Sequence, residues 1–228
     1  MKAYYITLLR HGLAEGERAG RYIGHTDAPL TEEGKTQLLQ MREQYGYPAV
    51  SALFTSPLRR CRETAVLLYP GQNAIALDGL REYYFGEYEN KTPAELENHP
   101  VFHRWLSGEP GLTPPFAEGQ ADFQERILGT FRKLVGGLFK TGTEHTAVVT
   151  HGGIIMALLA RFGIPEAPMH EWLTPSGCGY LLRVTPMLWS AGEKLEVAAP
   201  LPEEPEHPDE LPAERRLWLE LEKELDAR

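Results

Sequence analysis

Two short motifs in this chain of 228 residues carry side chains that could do chemistry: Arg10-His11-Gly12 and His151-Gly152-Gly153. Each follows an apolar run, AYYITLL at 3–9 and TAVVT at 146–150, as expected of strands buried on both faces of a parallel sheet. In open α/β sheets ligands sit beyond the carboxyl ends of the strands, so the motifs can share one pocket although 140 positions separate them. Arginines converging on such a pocket would hold an anion, because a guanidinium donates in a fixed fork and never loses its charge. Arg60, in Arg59-Arg60-Cys61-Arg62, and Glu82, in Leu80-Arg81-Glu82, add a second cation and a carboxyl. Each of these residues also has a bland reading: a structural histidine, a surface charge on a helix, a solvated carboxylate.

Composition narrows the classes. The formal net charge of −9 argues against a general nucleic-acid binder, which would carry a broad basic face. Cys61 and Cys178 are too few for a disulfide scaffold. Neither begins a Cys-x5-Arg signature, since Leu67 and Val184 stand where the arginine would be; they read as partly buried thiols in a reducing compartment. No cluster of histidines and carboxylates has metal-ligand spacing, and Glu206-His207-Asp209 reads as linker polarity. The apolar start stops at Arg10, too short to span a membrane and poor as a signal peptide, so a cytoplasmic protein is expected.

Pattern then predicts the elements that must position these groups. Strands are expected at 3–9, 50–55, 75–77, 146–150, 179–184 and 195–197. Helices are expected after Thr31 as N-cap, from Pro57, and over 123–139 and 154–162. This alternation predicts an α/β three-layer sandwich around a mostly parallel, doubly wound sheet with right-handed crossovers. Residues 84–118 break it with prolines, glycines and aromatics, and read as a small lid insertion within a domain spanning 1–199. Residues 200–228 read as an acidic, proline-rich linker and a C-terminal helical tail. At 213–227 the tail carries Leu217, Trp218, Leu221 and Leu225 on one face, which could dock on its own domain, on a second copy or on a partner.

Six segments occur in the order found in the histidine phosphatase superfamily, which this chain resembles over about residues 3–185. They are Leu9-Arg10-His11-Gly12, Gly20-Arg21-Tyr22-Ile23-Gly24, Pro29-Leu30-Thr31-Glu32-Glu33-Gly34, Ser56-Pro57-Leu58-Arg59-Arg60, Leu80-Arg81-Glu82 with Phe85-Gly86-Glu87, and His151-Gly152-Gly153. The resemblance implies that His11 attacks phosphorus and forms a phosphohistidine, and that Glu82 protonates the leaving oxygen. It implies that Arg10, Arg60, His151 and Gly152 hold the phosphoryl group, with no metal or other cofactor. Physics fits these roles: phosphoryl transfer spreads charge over its transition state, so positioned cations are the main catalytic device. A neutral imidazole can attack, and a carboxyl beside a dianion keeps its proton.

The chain departs from the family at one place. After Arg-His-Gly the family often has Glu-Thr and, further on, an asparagine that touches phosphate; here Leu13-Ala14 and Glu17 stand instead. A carboxylate there repels phosphate unless it is protonated or turned away. Glu17 is therefore expected to be tolerated, to meet a cationic part of the substrate, or to weaken the site. Arg21 and Tyr84 are the other expected substrate contacts.

A mutase must hold two anionic ends, yet 84–118 offers Lys91 and Arg104 as its only cations against Glu87, Glu89, Glu95, Glu97, Glu109 and Glu118. Tyr84, Phe85, Tyr88, Phe102, Trp105 and Phe116 supply aromatic surface there. Hydrolysis of a small-molecule phosphomonoester with a partly apolar leaving group is the expected reaction. Tyr84-Phe85-Gly86-Glu87-Tyr88-Glu89 and Glu118-Gly119-Gln120-Ala121-Asp122-Phe123 are similar to the α-ribazole phosphatase-type members, which act in cobalamin assembly, and an aromatic lid would stack on a benzimidazole. A broad-specificity sugar or nucleotide phosphatase, a phosphoglycerate mutase and a catalytically weak phosphate-binding module are the alternatives.

Overall fold

The computed structural model describes residues 2–202. Its sheet has seven strands: β1 (Tyr4–Arg10), β2 (Ala52–Thr55), β3 (Ala74–Ala76), β4 (His145–Thr150), β5 (Gly163–Ile164), β6 (Gly179–Val184) and β7 (Leu195–Leu201), ordered β3-β2-β4-β1-β6-β7-β5. β1 to β4 are mutually parallel, and β6 alone opposes its neighbours β1 and β7. The sheet is thus mixed and mostly parallel, as expected.

Side-chain alternation divides the core between two faces. Ile6, Leu8 and Val148 point into one layer, beneath α5 (Gln120–Thr141) and α6 (Gly152–Phe162). Leu9, Ala147 and Val149 point into the other, beneath α1 (Glu32–Gln44) and α2 (Arg59–Leu68). α5 turns Phe123, Ile127, Phe131, Leu134 and Leu138 inward at helical spacing and ends at Gly142, whose φ of +72° is the left-handed cap that glycine adopts without strain. Thr31 caps α1 by accepting from the Gly34 N–H at 2.9 Å, as its position predicts. α2 begins two residues later than expected, and Asp27 from a distant loop accepts from the Arg59 N–H at its start (2.6 Å). Among the described residues no helix is long and apolar enough to cross a membrane.

Two expectations need correcting. β7 runs on through Pro200 and Leu201, residues read from sequence as linker. Proline is tolerated there because β5 pairs only with Leu195 and Glu196, so among the described residues the far half of β7 has no strand neighbour on that side. The expected helix at 213–227 lies outside the described residues. Secondly, the aromatics of 84–118 do not all form a surface. This segment carries α3 (Pro93–Leu96) and α4 (Phe102–Leu106), and it buries Tyr88, Leu96 and Phe102 in a small core of its own, with Tyr22, Phe85 and Trp105 packed around them. An excursion this far from the main core must bury its own apolar side chains to stay folded. Phe116, by contrast, is 82% exposed.

Candidate active site

The register of the sheet builds the site. Arg10 at the end of β1 lies opposite Thr150 at the end of β4, so His11 and His151 leave the sheet side by side. Their rings stand 5.1 Å apart at 67°, and both are buried. α2 then brings in Arg60, the turn after Leu80 brings in Glu82, and the N-terminus of α6 begins at Gly152 immediately beyond His151.

Hydrogen bonds fix the state of both rings. His11 Nδ1 lies 2.8 Å from the Gly12 carbonyl, which can only accept, so Nδ1 carries the proton. Nε2 faces Arg60 Nε, which can only donate, at 3.2 Å, so Nε2 presents its lone pair. Burial drives the His11 pKa down to about 3; Glu17 opposes the shift, and Arg60 and Arg10 add to it. His151 Nδ1 accepts from Arg60 Nη2 at 3.1 Å, so its Nε2 proton goes to Ser56 Oγ at 2.8 Å. Burial, with Arg60 and then His11 as further causes, holds His151 neutral too. Arg60 is locked by the carbonyls of Thr26 (2.9 Å) and Gly24 (2.8 Å).

Arg10 is only partly engaged. Its Nη1 donates to the Thr174 carbonyl at 2.9 Å and its Nη2 to Glu17 at 3.1 Å. Its Nε is buried and has no hydrogen-bond partner among the described residues. A Cβ at Gly152 would lie 3.6 Å from that nitrogen, so the orphan donor abuts the first turn of α6. A buried N–H without a partner beside a helix N-terminus is a place for an anion.

Glu82 lines the same turn. Its carboxylate accepts from the N–H groups of Tyr83 (2.8 Å) and Gly153 (3.0 Å). Burial raises its pKa against the pull of those two donors and of Arg60 and Arg10. Gly153 leaves room for that carboxylate: a Cβ there would stand 2.6 Å from Glu82 Oε1, so the carboxylate would have to shift. The neighbouring glutamates do other work. Glu89 receives the N–H groups of His25 (2.8 Å), Phe85 (3.0 Å) and Thr26 (3.0 Å), pinning the loop before Ala28 to residues 85–89. Glu87 faces His99 at 3.5 Å and is half exposed.

Glu17 is neither turned away nor neutral. Its Oε2 accepts from the Ala14 N–H at 2.7 Å, and its Oε1 lies 3.1 Å from Arg10 Nη2 and 3.9 Å from His11 Nε2. Burial works to raise its pKa, but the Arg10 guanidinium and the Ala14 N–H outweigh burial and hold it below the usual range. Arg21 is spent on the 84–118 segment, donating to the Asn90 carbonyl and to Glu95 Oε2. Tyr84 is half-buried, with its ring 5.1 Å from that of His25. Sequence reasoning missed four residues that shape the site: His25, Ser56, Glu89 and Arg126. Ser56 and Glu89 had a signal, since Ser56 follows a strand end and both lie in segments that carry the family resemblance; His25 sits in a loop and Arg126 on α5 with nothing local to mark them.

A family model described as the histidine phosphatase superfamily (branch 1) matches residues 6–191. The adenosylcobalamin/alpha-ribazole phosphatase of Salmonella typhimurium is 28% identical over 176 residues, covering 75% of this chain and 86% of its own. The glucosyl-3-phosphoglycerate phosphatase of Mycobacterium tuberculosis is 27% identical over 187 residues, covering 78% and 83%. The crystal structure of the alpha-ribazole phosphatase from Shigella flexneri shares the fold, with a TM-score of 0.73 over 85% of this chain and 94% of that one, at 22% identity.

Proposed function

Since this chain belongs to the histidine phosphatase superfamily, we propose that it hydrolyses phosphomonoesters through a phosphohistidine formed on Nε2 of His11. One observation carries this reading: His11 is buried and neutral, and its proton is fixed on Nδ1 by the Gly12 carbonyl, leaving the Nε2 lone pair toward the pocket. The phosphoryl oxygens take the free Nε–H of Arg10 and the N–H of Gly152. As Nε2 bonds to phosphorus, the Nε–H of Arg60 passes from that nitrogen to a phosphoryl oxygen, and the Gly12 carbonyl supports the charge that develops on the ring. Glu82 gives its proton to the leaving oxygen, then takes one from the water that opens the phosphohistidine. Arg10, Arg60, neutral His151 and the N-terminus of α6 supply the stabilisation that other enzymes draw from a metal.

For the substrate, we put a monophosphate of the α-ribazole type first. The name of the Salmonella relative supports it, as does the Tyr84 ring two residues from Glu82. Tyr88 and Phe102 are buried, so Tyr84 and exposed Phe116 are the aromatics best placed to stack on a base. The Mycobacterium relative keeps sugar phosphates in the panel.

The test is hydrolysis of p-nitrophenyl phosphate in EDTA by the wild type and by His11→Ala, followed by the same assay on α-ribazole 5′-phosphate. We expect wild-type activity to survive chelation and the variant to lose at least about a thousandfold. Equal rates in the two proteins would overturn the reading.

A further inference from the structure

Arg126, on α5, spends its side chain on the turn that carries Glu82. Its Nη1 donates to the carbonyls of Arg81 (2.8 Å) and Gly79 (3.1 Å), and its Nη2 to that of Glu82 (3.3 Å). The same guanidinium forms a bidentate pair with Glu118, Nε to Oε1 at 2.7 Å and Nη2 to Oε2 at 2.6 Å. The Glu118 backbone N–H donates to the Tyr84 carbonyl at 3.1 Å, so the pair grips the turn from both sides. His25 Nε2 donates to the Glu82 carbonyl as well, at 3.0 Å. Among the described residues the Glu82 carboxylate itself is steadied only by the N–H groups of Tyr83 and Gly153, so its place depends on where the main chain of residues 79–82 is held.

We propose that the Glu118–Arg126 pair is a positioning device for Glu82, holding the main chain so that the carboxyl meets the leaving oxygen of the substrate. The inference rests on Glu82 being the proton donor. The pair would act through the main chain of residues 79–84 and not on the substrate itself. Five donors in a rigid fork suit Arg126 to clasp three carbonyls and a carboxylate at once, whereas a lysine has three donors and no fork. Glu118 orients that fork through its two oxygens. Both partners are less than a third exposed, so the pair is not a loose surface contact.

A misplaced acid should betray itself by leaving group. Hydrolysis of p-nitrophenyl phosphate needs little proton donation, whereas an alkyl ester such as glycerol 2-phosphate needs it fully. Steady-state kinetics on both esters would compare Glu118→Gln, Arg126→Gln and Arg126→Lys with Glu82→Gln. We expect Arg126→Gln to lower kcat on glycerol 2-phosphate by about 30- to 100-fold, and on p-nitrophenyl phosphate by less than about fivefold, with KM within twofold for both. Glu118→Gln should show the same split more weakly, and Arg126→Lys should recover part of the loss. Should Arg126→Gln fail to fold, Glu118→Gln, which keeps the shape of the pair, decides the question. Equal losses on the two esters, or losses confined to KM, would overturn the proposal while Glu82→Gln still discriminates. If Glu82→Gln does not discriminate either, the donor assignment fails and the proposal with it.

Discussion

Replacing Glu17 with asparagine should tighten the hold of this site on phosphate. Glu17 Oε1 stands 3.9 Å from His11 Nε2, the atom expected to bond phosphorus, and 3.1 Å from Arg10 Nη2. A phosphoryl group on Nε2 would place its oxygens in van der Waals range of that carboxylate. Two unit charges about 4 Å apart repel by roughly 4 kcal/mol at an effective dielectric of about 20. Some of that is relieved if the Glu17 side chain swings out on binding, at the cost of its bonds to Arg10 and the Ala14 N–H. A net gain of about 1.4–2.8 kcal/mol remains, which is roughly ten- to a hundredfold in affinity. The assay is competitive inhibition of p-nitrophenyl phosphate hydrolysis by inorganic phosphate, for wild type and Glu17→Asn, from pH 7 downward. Because the Glu17 pKa is held below its usual range, the carboxylate stays charged through neutral pH and the difference between the proteins should close only in acid, as Glu17 takes up a proton. An unchanged or weaker phosphate constant at pH 7 would refute the idea that Glu17 competes for the pocket, and would make it a support for Arg10 instead.

Two further outcomes follow from the same geometry. Gly153→Ala would drive a methyl group to within 2.6 Å of Glu82 Oε1; kcat on alkyl phosphates should fall at least about tenfold while inhibition by phosphate is kept, and loss of phosphate binding instead would mean that the first turn of α6 had moved. Acid should also unfold the protein through its buried histidines. The folded His11 pKa lies far below the ordinary value, so between about pH 6.5 and pH 3 the unfolded chain binds a proton that the folded one does not. Stability is then full above about pH 6.5 and falls by up to about 1.4 kcal/mol per pH unit on acidification; His151 adds a loss of the same sign. Thermal scans at several pH values should show a shallower acid slope for His11→Gln, and an identical slope would refute the buried, neutral state of His11.

How far the site could be read from sequence depends on range. The apolar runs before Arg10 and His151 revealed two buried strands, and a rule about strand ends was enough to bring the two histidines together, as the Arg10–Thr150 register does. The Thr31 cap is local chemistry and was equally legible. Tyr88 and Phe102 misled because an aromatic side chain reads the same whether it faces a ligand or a small private core. Pro200 looked like linker because nothing nearby in sequence tells that its strand partner on one side stops short. Arg126 and Glu118 were invisible as a pair: the carbonyls that Arg126 serves lie 44 to 47 positions away along the chain. Glu17 was flagged by its departure from the family pattern, but its placement between Arg10 and His11 depended on the path of a whole loop.

The position of β1 has a consequence for the timing of folding. This first strand has β4 on one side and β6 on the other, so both its ladders are made with residues 145–184. When Arg10, His11, Glu17, Arg60 and Glu82 have all emerged during synthesis, β1 still has neither neighbour. At about 5–20 residues per second, His11 waits on the order of ten seconds for the strands that seat it. A nascent chain shorter than this would carry the nucleophile in water, without Thr150 to take its backbone N–H or His151 at its side. Such long-range pairing also slows folding, because the loop must close before the contacts repay it.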